Sequence, residues 1–122
     1  MFERSLYVLR FSDGVVKVGS AKRPLERMVH HAHTKSKTGA RIVQQFWSTP
    51  SIFGYAAELS AIDRVMRYAS GRKGREWFYG VRFGQVVQTV EQTIRRFARK
   101  HHTGPLASAT AISTRASIAT TA

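Results

Sequence analysis

The spacing of apolar and polar residues predicts a β-hairpin at the start of the chain. Residues 5–11 and 15–19 are both rich in β-favouring side chains, and the turn residues Ser12, Asp13 and Gly14 separate them. Two such runs joined by a Ser-Asp-Gly turn are typical of antiparallel strands, because glycine can adopt the positive φ that these turns need. We therefore expect the fold to begin with two paired strands.

An amphipathic helix is predicted directly after the hairpin. Pro24 suits the first turn of a helix, because its fixed φ is helical and its missing N–H has no helical partner there. The following apolar residues fall at i, i+3, i+4 and i+7, which makes one stripe: Leu25, Met28, Val29 and Ala32. This spacing predicts that Arg27 and His31 point away from the buried stripe.

Two further helices and two extended segments complete the predicted elements. Residues 40–48 favour a third strand, and residues 76–81 favour a short aromatic strand. A second helix opens at Pro50 and Ser51, with Glu58 at the edge of its apolar face: Tyr55, Leu59, Ile62, Met66 and Ala69. A third helix covers residues 83–101, with a stripe of Val86 or Val87, Val90, Ile94 and Phe97.

The order of these elements predicts a small α/β (α+β) domain in residues 1–102. We expect a mostly antiparallel three-stranded sheet flanked by three helices. Residues 103–122 consist mainly of Ala, Ser and Thr without periodicity, which favours a disordered tail. At 122 residues the chain has room for one core rather than two.

The charge of the chain points to a polyanionic partner. The formal net charge is +13, and 19 of the 20 Lys and Arg residues precede Thr103. Such a surface attracts nucleic acid without reading its sequence, and nucleic acid is therefore the leading partner class; an acidic membrane surface is the alternative. No apolar run approaches the roughly 20 residues that span a bilayer, and no signal-peptide pattern opens the chain, so we expect a cytoplasmic protein outside the membrane.

Three basic groups are candidate phosphate contacts. Lys22 and Arg23 stand between the hairpin and the first helix, and Arg72, Lys73 and Arg75 form what looks like a flexible basic loop. The end of the third helix carries Arg95, Arg96, Arg99 and Lys100. Cations at a helix C-terminus also complement the helix dipole, but four within six residues exceed that need.

Residues that carry a family resemblance occur in a fixed order along the chain: Leu6-Tyr7-Val8, Lys17-Val18-Gly19, Arg27 with His31, Glu58, and Glu76-Trp77-Phe78. This order resembles the GIY-YIG nuclease superfamily, in particular its phage-type branch with a K-[IV]-G second motif. The resemblance implies a GIY-YIG-like fold and a metal-dependent endonuclease that cleaves DNA phosphodiesters with one divalent cation, Mg²⁺ or Mn²⁺.

The resemblance also assigns roles to single residues. The residues that would be catalytic are Tyr7, Lys17, Arg27 and His31. Gly19 would be the structural glycine of the second motif, and Glu58 would bind the metal. A lone carboxylate suits Mg²⁺, which keeps most of its water shell. Arg27 would clamp phosphate oxygens, and Tyr7 would orient or deprotonate water.

One departure from the family pattern leaves two functions open. Lys17 stands where the family usually has a tyrosine, and a protonated lysine can be neither acceptor nor base. Lys17 therefore stabilises charge instead, or the chain is a non-catalytic basic DNA-binding module with the same fold. An adaptor that recruits other proteins is a third possibility, and because no separate recognition domain is visible, specificity could come from a partner or a recognition domain in trans.

Ordinary structural roles compete with each of these assignments. Tyr7 could be a core aromatic, Arg27 and His31 a solvated helix face, and Glu58 a surface charge paired with a basic neighbour. His30, His31 and His33 invite a zinc site, but their spacing lacks the usual i, i+4 pair. The chain has no Cys, so thiolate metal sites and cysteine nucleophiles are excluded.

Overall fold

The secondary structure alternates short strands with three helices. A computed structural model describes residues 3–100 and, as backbone, residues 111–115. In chain order the elements are β1 (Ser5–Phe11), β2 (Val16–Ala21), α1 (Pro24–Ser36), β3 (Ile42–Ser48), α2 (Gly54–Met66), β4 (Gly71–Lys73), β5 (Trp77–Tyr79), α3 (Phe83–Lys100) and β6 (Ala111–Arg115). The hairpin is present as predicted, with Gly14 at a φ of 89° in its turn.

The sheet is antiparallel throughout, and its strand order is β4-β5-β2-β1-β3-β6. The predicted α+β class is confirmed, but the prediction of three strands was too low. Residues 71–75, predicted as a flexible loop, instead form β4 and a turn in which Gly74 has a φ of 67°. This hairpin extends the sheet beyond β2, because β5 pairs with Val16 and Lys17.

The C-terminal segment adds a strand at the opposite edge. Residues 111–115 pair antiparallel with β3, in a region that the sequence predicted to be disordered. These five residues form β6, and the disordered tail over residues 103–122 stays a prediction. The rest of the predicted tail, residues 103–110 and 116–122, lies outside the described residues, as do residues 1, 2, 101 and 102 of the predicted domain.

The two faces of the sheet are covered by different helices. Alternate residues of β1 point to opposite sides, so that Leu6 and Val8 belong to one cluster and Tyr7 and Leu9 to another. Helices α2 and α3 cover the Leu6 side, which we call the α2/α3 face. Helix α1 covers the Tyr7 side, which we call the α1 face.

Helix α1 packs on the sheet differently from the prediction. Leu25 and Val29, two members of the predicted buried stripe, are 70% and 58% exposed. His31, predicted to point away from the core, is buried, whereas Arg27 is exposed as predicted. The helix is therefore rotated so that a polar imidazole, rather than the full aliphatic stripe, meets the sheet.

The predicted faces of the other two helices are only partly correct. Tyr55 and Met66 are exposed on α2, which instead buries small residues such as Ala57 and Ala61 together with Ile62. Helix α2 also begins at Gly54, three residues after the predicted start at Ser51. On α3 the buried face is Val86, Thr89, Val90, Thr93, Ile94 and Ala98, which contains most of the predicted stripe.

Within the described part of the chain, every helix is too short or too polar to cross a bilayer.

Candidate active site

The site is built around Tyr7, a fully buried tyrosine in the middle of β1. Gly19 is its cross-strand partner on β2, and a Cβ at Gly19 would lie 2.5 Å from Tyr7 Cζ. No real side chain tolerates that approach, so only glycine lets the phenol ring lie across β2. Trp47 on β3 packs against the other side of the ring, with centroids 4.7 Å apart. Gly19, assigned as a structural glycine, thus has a direct steric role.

His31 connects helix α1 to the Tyr7 hydroxyl. The Tyr7 Oη and His31 Nε2 atoms are 2.8 Å apart, and the imidazole also contacts Trp77 edge-on at 5.6 Å. Burial, together with the positive charges of Lys17 and Arg27, lowers the pKa of His31 to about 4. The imidazole is therefore neutral at pH 7 and can share one proton with the phenol.

Arg27 approaches the same hydroxyl from the solvent side. It lies one helical turn before His31 and is exposed, and its charge together with a side-chain hydrogen-bond interaction lowers the pKa of the Tyr7 hydroxyl. Burial raises the pKa of Tyr7 well above its usual value of 10.0, although Arg27 opposes that rise. Tyr7 is therefore a phenol at neutral pH, with one cation at its oxygen.

Lys17 is a buried cation beside Tyr7. Only 3% of the residue is exposed, and its Nζ lies 5.9 Å from the Tyr7 ring centroid and 5.3 Å from that of Trp77. The ammonium forms an ion pair of 2.7 Å with Glu76 Oε2 and donates to the Val18 carbonyl at 3.3 Å. Burial lowers the pKa of Lys17, but the pairing with Glu76 opposes that change.

Glu58 reaches the cluster from the α2/α3 face. Its carboxyl is buried, accepts a hydrogen bond of 2.6 Å from Ser20 Oγ and is hydrogen-bonded to the Glu76 carboxyl. Burial and the neighbouring Glu76 raise the pKa of Glu58. Burial also opposes ionisation of Glu76, but its hydrogen bonds to Glu58 and Lys17 outweigh that effect and lower its pKa. The two carboxyls therefore act as one unit that favours holding a shared proton or a cation.

Side chains from the two faces of the sheet come together beside the part of β2 to which β5 is not paired. Strand β5 pairs with β2 only at Val16 and Lys17, and the Glu76 carbonyl accepts the next hydrogen bond, from Val18 N at 3.0 Å. Among the described strands, none pairs with residues 19–21 on that side. Side chains from both faces can therefore converge around this edge, as the shared interactions of Lys17, Tyr7 and Glu58 show.

The basic candidates divide into two sites near the cluster and one distant from it. Lys22 and Arg23 line an open cleft of about 520 Å³ together with Arg4, Ala21, Glu26, Arg27 and His30. Arg72, Lys73 and Arg75 are exposed on the β4–β5 hairpin, which leads directly into Glu76. Arg95, Arg96, Arg99 and Lys100 are exposed on α3, on the other side of the sheet from α1, and the first three line a separate shallow groove with Gln92.

Two site residues were not assigned from the sequence. Glu76 appeared only as part of the Glu-Trp-Phe segment, and Ser20 had no role. The signal for Glu76 was its position as a lone carboxylate after a basic stretch and before an aromatic strand.

Among the described residues, no cluster of three or more His, Asp or Glu side chains is placed to hold a metal ion, and His30 and His33 are exposed.

Comparisons with known proteins do not assign the chain to a family. No family model, no curated protein and no solved structure matches it. Inferences about function therefore depend on the motifs in the sequence and on the geometry of the site.

Proposed function

We propose that this chain is a divalent-metal-dependent endonuclease that hydrolyses DNA phosphodiester bonds in the cytoplasm with a GIY-YIG-like site. One observation carries the proposal: Tyr7, Lys17, Arg27, His31 and Glu58, which are scattered over 52 positions of the sequence, contribute to one connected cluster. A merely structural tyrosine would not need a buried histidine, a buried lysine and two carboxyls around it. The net charge of +13 supports a nucleic-acid substrate.

Arg27 is the group best placed to bind the scissile phosphate. It is exposed on α1, it lines the open cleft and its guanidinium reaches the Tyr7 hydroxyl. A planar guanidinium can contact two phosphate oxygens at once, and its charge stabilises the extra negative charge of the transition state. Arg27 would therefore hold the phosphate next to Tyr7.

Tyr7 and His31 would move the proton of the attacking water. In this proposal Tyr7 donates its hydroxyl proton to His31 Nε2, and its oxygen accepts a hydrogen bond from the water. As the water oxygen bonds to phosphorus, its proton passes to Tyr7 Oη and the Tyr7 proton passes to His31. The bond between phosphorus and the leaving oxygen of the DNA strand breaks at the same time, and that oxygen takes a proton from solvent. The low pKa of His31 disfavours this transfer in the free protein, and the negative charge of a bound phosphate would raise that pKa.

Glu58 and Glu76 would hold the divalent cation. Their carboxyls already interact with each other, and oxygen ligands of this kind suit Mg²⁺ or Mn²⁺. The donor set fits a cation that retains several waters, because two carboxylates suffice for Mg²⁺. When bound, the ion would neutralise charge on the phosphate and lower the pKa of a coordinated water.

Lys17 would supply fixed positive charge in place of a second tyrosine. Glu76 holds its ammonium at 2.7 Å, so the lysine is oriented before substrate arrives. A buried cation needs no reorganisation when negative charge develops nearby, which is the condition for electrostatic catalysis. Glu76 is thereby a positioning residue for Lys17 as well as a candidate metal ligand.

The surrounding basic residues would bind the DNA backbone. Lys22 and Arg23 line the same cleft as Arg27, and Arg72, Lys73 and Arg75 are exposed on the hairpin that leads into Glu76. Arg95, Arg96, Arg99 and Lys100 would form an auxiliary contact to a more distant part of the same molecule. Such contacts position DNA without selecting a sequence, so a protein partner or a recognition domain in trans would supply specificity.

A plasmid assay tests this proposal. The protein is incubated with supercoiled plasmid with Mg²⁺, with Mn²⁺ or with EDTA, and nicked product is measured over time. We expect nicking only with a divalent ion, and a loss of about 10³-fold in Glu58→Ala and in Arg27→Ala. Glu91→Ala and Arg67→Ala, which change charged residues outside the cleft and the cluster, serve as matched controls and should nick like the wild type. Equal nicking by all five proteins would refute the site assignment.

A non-catalytic DNA-binding module is the second candidate. The observation that favours it is Lys17, because its ammonium is held by Glu76 and cannot act as an acceptor or a base. Such a module would bind plasmid with a steep dependence on salt and leave it supercoiled with either metal. The same assay therefore separates the two candidates.

A further inference from the structure

Tyr55 is an exposed aromatic residue at the edge of the candidate site. Tyr55 is 57% exposed in the first turn of α2, although the apolar spacing of the sequence predicted that it would be buried. It lies three residues before Glu58, and residues at i and i+3 are neighbours on one side of a helix. The Arg4 guanidinium carbon lies 6.0 Å from the Tyr55 ring centroid. An aromatic face with a cation beside it is therefore present next to the proposed metal ligand.

The position of Tyr55 relative to Arg4 is fixed by backbone contacts. Arg4 and Ser51 exchange two backbone hydrogen bonds, each 3.0 Å long. A Cβ at Gly54 would lie 2.6 Å from the Arg4 carbonyl oxygen, so only glycine allows α2 to begin against this segment. The first turn of α2, including Tyr55, is thus anchored to the chain segment that carries Arg4.

Arg4 also belongs to the basic cleft. The cleft contains the cationic side chains of Arg4, Lys22, Arg23 and Arg27, with a single acidic residue, Glu26. Arg27 joins the cleft to the Tyr7 hydroxyl, and Arg4 joins it to the Tyr55 ring. A continuous path of positive charge therefore links the proposed catalytic hydroxyl to an exposed aromatic ring.

We propose that this path binds single-stranded DNA, with an unpaired base stacked on Tyr55 and its phosphates in the cleft between Arg4 and Arg27. The inference deepens the proposed function and rests on it for the choice of DNA as the ligand. Sites for single strands combine a cationic groove, which follows the backbone, with aromatic rings on which bases stack. A base inside a duplex is covered on both faces, so it cannot stack on a side chain. The preferred substrate is therefore DNA with an unpaired stretch beside the scissile phosphate.

Tyr79 provides a matched control for an ordinary surface tyrosine. It is 41% exposed on β5, where it pairs with Gly71, and it is not among the residues that line the cleft. An exposed tyrosine by itself indicates nothing about a ligand. The difference predicted between Tyr55 and Tyr79 therefore isolates the contribution of the cleft.

The test is a binding measurement that requires no cutting. Fluorescence anisotropy is recorded in EDTA with a labelled oligonucleotide of about 12 nucleotides, as a single strand and as a duplex. Tyr55→Ala should weaken single-strand binding about tenfold and duplex binding less than about threefold. Tyr55→Phe should bind like the wild type, because stacking needs the ring and not the hydroxyl, and Tyr79→Ala should also be unchanged.

Two results would overturn this proposal. One is that Tyr55→Ala binds single strands as tightly as the wild type. The other is that Tyr55→Ala weakens single-strand and duplex binding equally. That result would indicate that the substitution displaces the cationic side chains of the cleft or unfolds the protein, rather than removing a stacking contact. A protein that shows the expected pattern but leaves plasmid uncut would refute the nuclease and leave the single-strand site supported.

Discussion

The two faces of the sheet differ in how many ionisable side chains they bury. On the α2/α3 face the buried residues are mostly apolar, such as Phe46, Val65 and Phe78, and Glu58 is the buried ionisable group. On the α1 face Tyr7 is buried together with His31 and Lys17. Apolar burial stabilises a fold, whereas buried ionisable groups cost stability unless they are paired. We infer that one face mainly stabilises the protein and the other mainly serves its chemistry.

Helix α1 shows how far the second face departs from ordinary packing. It leaves Leu25 and Val29 exposed while it buries His31 against Tyr7. A helix selected only for stability would be rotated to bury its aliphatic residues. Departures of this kind from sequence-level rules are expected at functional sites.

The largest predicted effect is on the α1 face and concerns activity. Lys17→Met keeps the length of the side chain but removes its charge, so negative charge on the phosphate loses a fixed cation. We expect the single-turnover rate of plasmid nicking to fall about 10²-fold to 10³-fold, measured under conditions where the protein remains folded. Lys37→Met changes an exposed lysine just beyond α1 and should leave the rate unchanged.

An unchanged rate in Lys17→Met would contradict the role assigned to the lysine. It would also indicate that the ion pair with Glu76 is structural. In that case the variant should instead show a lower free energy of unfolding, because the partly buried Glu76 carboxylate would lose its partner.

The next effect is on the α2/α3 face and concerns stability. Val65 is fully buried, and Val65→Ala removes two methyl groups and leaves a small cavity. We expect the free energy of unfolding to fall by about 2 kcal/mol, measured by urea denaturation. The nicking rate per folded molecule should remain that of the wild type, since Val65 makes no contact with the Tyr7 hydroxyl. A large loss of rate without a loss of stability would show that the two faces are not separate in function.

A smaller effect concerns the pH dependence of stability. His31 has a pKa of about 4 in the folded protein, against an ordinary value of 6.5. Between these values the unfolded chain binds a proton at His31 that the folded protein does not, so the contribution of His31 to the free energy of unfolding should decrease as the pH falls from 6.5 towards 4. Glu58, whose pKa is raised to about 7 in the folded protein, contributes in the opposite direction.

Replacement of His31 isolates this contribution. Over the same interval, the free energy of unfolding of the wild type should fall relative to that of His31→Gln as the pH is lowered, because only the wild type has the His31 contribution. His30→Gln alters an exposed histidine and should keep the wild-type dependence. Parallel curves for the wild type and His31→Gln would show that His31 is not buried in its neutral form.

The sequence predicted the α2/α3 side of the fold better than the α1 side. The bounds of β1 and the position of α3 agree with the prediction, because strand alternation and helical period both follow from a simple apolar core. The helix α1 itself agrees with the prediction, but its predicted buried face was only partly correct, because helical period counts only apolar residues. The orientation of α1 includes a hydrogen bond between His31 and the Tyr7 hydroxyl, which no spacing rule contains.

Long-range polar contacts were also beyond the reach of sequence patterns. The resemblance named Glu58, but the pairing of Glu76 with Lys17 joins residues 59 positions apart. The position of Tyr55 was missed for a related reason. Helix α2 packs through Ala57 and Ala61, so small residues rather than large apolar ones determine its buried face.

We propose that the α1 face is a catalytic site with the Tyr7 hydroxyl at its centre. The most direct test is the single-turnover rate of plasmid nicking by the wild type and by Tyr7→Phe in Mg²⁺, with thermal unfolding recorded for both. Tyr7→Phe removes one oxygen and keeps the ring that packs over Gly19. We predict that the wild type nicks the plasmid and that the variant is at least about 10²-fold slower while it unfolds at nearly the same temperature. A variant that nicks as fast as the wild type, or a wild type that leaves the plasmid intact with both Mg²⁺ and Mn²⁺, would contradict the claim.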